Sequence, residues 1–155
     1  MSPPEPRAPE ARARVLAGRA PWALHALLDG LREGDDAAAR ATSLAELRDA
    51  LVIVVARVVF LTLARARGLV EPTIDPAGLL RGLESGAARG GWATLASWSR
   101  AQHERRGGAL FDPARTSSID AAQLPNDSVA RALRAILTDE TGDDASAALP
   151  VEHLG

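Results

Sequence analysis

The side chains that could do chemistry are few and scattered along the chain. The three histidines, His25, His103 and His153, stand far apart, and none has the spacing of an HExxH or similar metal-binding motif. The chain has no cysteine, which removes thiolate nucleophiles, disulfides and Cys-based zinc sites. Every basic residue is arginine, which excludes a P-loop lysine and a lysine Schiff base. The residues themselves therefore identify no catalytic, cofactor-binding or metal-binding side chain.

Three further features suggest ligands, but each has a simpler explanation. Residues 86–91 are rich in glycine but do not form GxGxxG, and they follow a predicted helix rather than a strand. The acidic residues 139–144 lack the alternating ligands and final glutamate of an EF-hand loop. Trp92 and Trp98 could stack on bases, yet in a chain with 3% aromatic residues core or interface packing explains them better. We expect a link, a solvated loop and a packed helix, respectively.

Residues 44–67 are predicted to form the long helix around which the chain is organised. Ser43 followed by Glu46 has the form of a capping box at its start. Gly68 stands where a left-handed residue commonly ends a helix, and Pro72 follows as a stop. The middle of the stretch is apolar nearly all round, so we expect it to be buried on every face.

Two alternatives to this helix are weaker. The β-branched run at 52–55 could form a strand, but the apolar pattern continues well past strand length at helical spacing. A membrane span is disfavoured because the uncharged run is shorter than the roughly 20 residues needed, and because Arg57 stands in its middle.

Shorter helices are predicted on both sides of the long one. Pro21 fits the first position of a helix that ends at Gly34. Asp75 and Pro76 predict a cap and first position, and a helix at 92–102 is followed by a polar break at 103–108. Residues 116–124 are predicted to be mainly loop, after which Asn126 or Asp127 caps a last helix. The apolar faces are expected to carry Leu24, Leu27, Leu28 and Leu31; Leu79, Leu80 and Leu83; and Val129, Leu133, Ile136 and Leu137.

Composition fits one soluble helical domain. The chain has 155 residues, 46% hydrophobic and 25% charged, as is usual for a globular protein. The proline-rich residues 1–9 are expected to be disordered, and residues 10–155 to form one domain. The fold class predicted is all-α, an irregular helical bundle around one long buried central helix. No apolar signal segment follows Met1, so a cytoplasmic location without a membrane is expected. A net charge of −2 gives no overall footprint for nucleic acid.

Three blocks together resemble a known family. They are residues 51–72, which end in FLTLARARGLVEP, residues 107–112, GGALFD, and residues 151–155, VEHLG. In order and approximate spacing they are similar to the helical region that precedes the catalytic domain of adenine-specific DNA methyltransferases. These enzymes belong to Type IIG restriction–modification systems and to BREX- and DISARM-like phage-defence systems. Their helix of the type LLFLLYAEARGLLP, their NGGLFD turn and their VEHLGSVYE segment correspond to the three blocks.

The resemblance implies a methyltransferase connector rather than the catalytic centre. The family uses S-adenosylmethionine, but its glycine-rich cofactor motif and its Asn-Pro-Pro-Tyr motif follow VEHLG and are not among these residues. No catalytic, cofactor-binding or metal-binding residue is therefore carried over. The chain also departs from the family pattern at Thr62, Arg65 and Arg106.

Two functions follow as expectations. In the first, the chain is the truncated N-terminal helical part of such a methyltransferase, inactive alone. It supports a downstream methyltransferase domain or subunit, with DNA contacted through that partner. In the second, it is a stand-alone helical protein-interaction module with no enzymatic role.

Overall fold

The structure is a computed structural model, and it describes residues 18–33 and 42–137. These ranges are all helical, as predicted, and contain no strand. Predictions that concern residues 1–9, Gly34, residues 139–144 and residues 151–155 lie outside the described residues. The elements are α1 (Ala20–Glu33), α2 (Leu44–Ala66), α3 (Pro76–Ser85), α4 (Gly91–Arg106), a 3₁₀ turn (Pro113–Thr116), α5 (Ser117–Asp120) and α6 (Asn126–Leu137).

Helix α2 begins and ends where its sequence signals place it. The Ser43 hydroxyl accepts from the Glu46 amide at 3.2 Å, which satisfies one of the free amides of the first turn. At the other end Gly68 is left-handed with φ of 69°, and the Leu69 amide donates to the Ala64 carbonyl at 2.9 Å. The predicted long helix is confirmed as Leu44–Ala66.

The expectation that α2 is buried on every face is wrong. Val52, Ala56 and Phe60 form an exposed row at a spacing of four, with Val52 47% and Phe60 41% exposed. Leu51 and Leu61 on the opposite side are almost fully buried. Leu51 belongs to the hydrophobic core, whereas the exposed row is left uncovered by the described residues. An apolar pattern in one helix does not reveal how far its neighbours extend.

Helices α1 and α6 pack against each other more closely than ordinary side chains allow. A Cβ atom on Gly30 would lie 2.6 Å from the Cβ of Ser128, so the missing side chain permits the close approach. Both helices also contribute to the core, through Ala23, Leu27 and Leu31 and through Val129, Leu133, Ile136 and Leu137. The predicted apolar face of α6 is thereby confirmed.

Helix α3 follows its predicted caps, whereas α4 is longer than predicted. The Asp75 carboxylate accepts from the Gly78 amide at 3.0 Å, and Gly86 is left-handed with φ of 80°. Helix α4 continues through residues 103–106, where we expected a break. Its basic last turn suits the negative end of the helix dipole, and the chain turns only at Gly107, with φ of 65°.

Two further predictions around α6 are wrong in detail. Residues 116–124 were expected to be mainly loop, but the structure is helical up to Asp120 and irregular only after it. The Asp112 carboxylate accepts from the Ala114 amide at 2.9 Å, and Ile119 is fully buried in the core. Asn126 lies inside α6, and its side-chain oxygen accepts from the Gly91 amide at 3.1 Å. This asparagine therefore caps the first turn of α4, which has no cap from its own neighbouring residue.

Candidate functional site

The most polar feature of the interior is the guanidinium group of Arg57. This residue lies in the apolar middle of α2 and is 3% exposed. Its Nε donates to the Leu110 carbonyl at 2.7 Å, and its Nη2 donates to the Asp112 carbonyl at 2.8 Å. Its Nη1 donates to the Thr116 hydroxyl at 2.9 Å. The guanidinium thus joins α2 to the turn at residues 107–112 and to the 3₁₀ turn.

The surroundings of Arg57 are charged but not ion-paired at short range. The pKa of Arg57 is lowered, chiefly because burial disfavours the charged guanidinium. The carboxylates of Asp120 and Asp112 raise this pKa in part, and the positive charge of Arg115 lowers it. An arginine stays protonated in proteins even so. The group is therefore a buried cation that is held by carbonyl and hydroxyl oxygens.

A small cavity beside Arg57 leaves little room for chemistry. Its volume is about 10 Å³, and its lining includes Arg57, Asp120, Ser99 and Trp92. That volume is at the lower limit for a single water molecule. Because three guanidinium N–H groups already donate within the protein, we assign Arg57 a structural role.

The arginines at the end of α2 and α4 hold the loop between α2 and α3. Arg65 donates to the Pro72 carbonyl at 2.6 Å and lies 3.4 Å from a carboxylate oxygen of Asp75. From α4, Arg105 pairs with Glu71, and Arg106 donates to the Leu69 carbonyl at 2.9 Å. These contacts place the C-terminal ends of α2 and α4 beside each other.

An apolar groove lies on the outer side of α2. Its volume is about 680 Å³, and it is lined by Leu24 of α1, by the row Val52, Ala56 and Phe60, and by Leu110. All the residues that line it are apolar. A groove with no placed polar group can bury apolar side chains, but it offers nothing to orient a reacting substrate.

The tryptophans and histidines divide into buried and exposed side chains. Trp92 is buried and its Nε1 donates to the Ile119 carbonyl at 3.1 Å, and Trp98 packs half-buried against the core. Core packing of this pair is therefore confirmed. His25 lies on the surface with its Nε2 3.4 Å from Asp29, and His103 is half-buried in α4.

The described residues bring no metal-binding set together. Among residues 18–33 and 42–137, no three His, Asp or Glu side chains could jointly hold a metal ion. In the same part of the chain, no helix has the length and apolar character that crossing a membrane requires. Comparison with known protein families, curated proteins and solved structures finds no match to this chain.

Sequence reasoning missed two features of this surface and interior. In the sequence, Arg57 argues against a membrane span, but a lone arginine in an apolar helix also indicates a buried cation that needs acceptors. The sequence assigns Trp22 no role, yet in the structure it is 72% exposed. The sequence does place Trp22 three residues after Arg19, and tryptophan and arginine are enriched in binding surfaces. This pair could therefore have indicated a contact surface.

Proposed function

We propose that the chain is a helical connector of the kind that precedes the catalytic domain of adenine-specific DNA methyltransferases. Its role is to support a methyltransferase domain or subunit, which binds S-adenosylmethionine and carries out the methyl transfer on DNA. This role would belong to restriction–modification or phage defence. The chain itself contributes a rigid helical surface and no catalytic residue.

The observation that carries this proposal is the contact between two of the three resembling blocks. Arg57 lies in the first block, and two of its acceptors, the carbonyls of Leu110 and Asp112, lie in the second. Charge-assisted hydrogen bonds to a buried guanidinium hold such a turn in one position. Arg57 and its two acceptors are 53 and 55 residues apart in the sequence. The first and second blocks therefore form one structural unit, as a common role in a connector would require.

The positions at which the chain departs from the family pattern also take part in this unit. Arg65 and Arg106 hold the loop that follows α2, through the carbonyls of Pro72 and Leu69. Thr62 is buried, and its hydroxyl donates to the Val58 carbonyl at 2.8 Å. All three of these side chains therefore make hydrogen bonds within or beside the α2 segment.

The gene beyond the codon for Gly155 provides the most direct test. We expect a continuing, shifted or separate reading frame that encodes a glycine-rich cofactor motif followed by Asn-Pro-Pro-Tyr. Co-expression of that product with this chain should give a complex that transfers labelled methyl groups from S-adenosylmethionine to adenine in DNA. An unrelated downstream sequence, together with a failure to co-purify, would refute the connector proposal.

A second candidate function, a stand-alone helical protein-interaction module, is favoured by the apolar groove. The groove is about 680 Å³, and its exposed row on α2 offers apolar contacts at helical spacing. Under this alternative, Val52→Glu should abolish binding of a protein partner to the groove, and that binding should not require a methyltransferase polypeptide. Under the connector proposal the downstream polypeptide co-purifies with the wild-type chain.

A further inference from the structure

An exposed tryptophan lies among arginines on the surface formed by α1 and α6. The hollow between the two helices has a volume of about 450 Å³ and is lined by Arg19, Trp22, Arg131, Arg134 and Ala135. We refer to these five residues as the Trp22 hollow. Tryptophan is usually highly buried, so 72% exposure of the Trp22 side chain is unusual for a residue that only supports the fold.

The packing of α1 on α6 explains why these side chains meet. Gly30 lies against Ser128. Trp22 is eight residues before Gly30 and Ala135 is seven residues after Ser128, and both line the hollow. The two helices are therefore antiparallel there. Arg131 and Arg134 are three residues apart on α6 and so share one face of that helix. Arg19 directly precedes α1, and its carbonyl accepts from the Trp22 amide at 3.1 Å.

We propose that the Trp22 hollow binds single-stranded nucleic acid. A base would stack on the exposed indole, since every base presents a π-face and aromatic side chains bind strands in this way. The guanidinium groups of Arg19, Arg131 and Arg134 would contact the flanking phosphates, to which arginine donates in a bidentate fashion. This inference does not depend on the proposed connector function.

Two carboxylates compete with the strand for the arginines. Glu84 lies 2.9 Å from Nη2 of Arg134, and Asp127 lies 3.4 Å from Nε of Arg131. Exposed pairs of this kind contribute little to stability, so a phosphate can replace them. Removing the Glu84 charge by Glu84→Gln should therefore strengthen binding of the strand.

The shape and charge of the hollow favour a strand over other partners. A free nucleotide is usually held in a pocket that encloses most of its surface, whereas this hollow is an open surface between two helices. An acidic peptide would use the arginines but has no base for the indole. A duplex keeps its bases stacked inside, so the indole would gain no stacking partner.

The test measures binding of a fluorescent mixed-sequence oligonucleotide of about 12 nucleotides by anisotropy. Trp22→Ala should weaken binding between about fivefold and about 150-fold, whereas Trp22→Phe should retain most of the affinity. Arg19→Ala and Arg134→Ala should each lower the salt slope of log K by about 0.7 between about 50 mM and about 200 mM salt. Arg100→Ala, an exposed arginine on α4, is the charge-matched control and should leave the slope unchanged.

A second readout separates stacking from general attraction. Base stacking should quench the fluorescence of the exposed Trp22, and this quenching should disappear in Trp22→Phe while circular dichroism stays unchanged. The proposal is overturned if Trp22→Ala binds as the wild type does, or if Arg100→Ala loses as much as Arg134→Ala. It is also overturned if a duplex or an acidic peptide binds more tightly than the single strand.

Discussion

Replacing Arg57 by methionine should destabilise the protein by about 2–4 kcal/mol. The change keeps an apolar stem of similar length and removes three hydrogen bonds of 2.7, 2.8 and 2.9 Å. The carbonyls of Leu110 and Asp112 belong to partly exposed residues, so water can reach them. The Thr116 side chain is completely buried, and its hydroxyl would lose the donor that it accepts from. Relief of the guanidinium's desolvation offsets part of this cost, which is why the estimate is below the sum of three charge-assisted bonds.

Chemical denaturation, followed through the fluorescence of buried Trp92, measures this free energy of unfolding. Thr116→Val is the matched control and should cost about 1 kcal/mol, since it removes one of the three bonds. The double variant should cost less than the two single costs together, because the valine removes the stranded hydroxyl. A loss of under about 0.5 kcal/mol for Arg57→Met, or strictly additive costs, would refute the role that we assign to this guanidinium.

Three further predictions concern contacts between helices. Gly30→Ala should lower the free energy of unfolding by about 1–3 kcal/mol through overpacking. Adding Ser128→Gly to that variant should restore most of the melting temperature, and a lack of restoration would contradict the close approach of the two helices. Asn126→Ala should cost about 0.5–2 kcal/mol and speed amide exchange in the first turn of α4 around Gly91, whereas exchange changed only in α6 would argue against capping between helices. Arg105→Ala should change the free energy of unfolding by less than about 1 kcal/mol because its ion pair is exposed, and a larger loss in thermal denaturation would show that the loop depends on it.

Local signals predicted the helix ends well. The caps at Ser43 and Asp75 and the left-handed Gly68 depend on a few neighbouring residues, and each is confirmed in the structure. Such features follow from backbone sterics and hydrogen bonding within one turn. They are therefore accessible from sequence without knowledge of the rest of the fold.

Features that depend on distant segments could not be predicted in the same way. The exposure of Val52 and Phe60 depends on how far the neighbouring helices reach, and the capping of α4 by Asn126 spans 35 residues. The position of Trp22 among arginines follows from the antiparallel packing of α1 on α6. In each case the deciding contact is made by residues that no local pattern connects.

The separation between Arg57 and its acceptors also has a consequence for the folding pathway. The three acceptors lie 53, 55 and 59 residues along the chain, so the guanidinium can leave water only after a long loop has closed. Helical turns form much earlier, from contacts of low sequence separation. We therefore expect docking of the turn onto Arg57 to follow the rate-limiting step. Removing the guanidinium would then accelerate unfolding and leave the refolding rate almost unchanged, which makes Arg57 a determinant of kinetic lifetime.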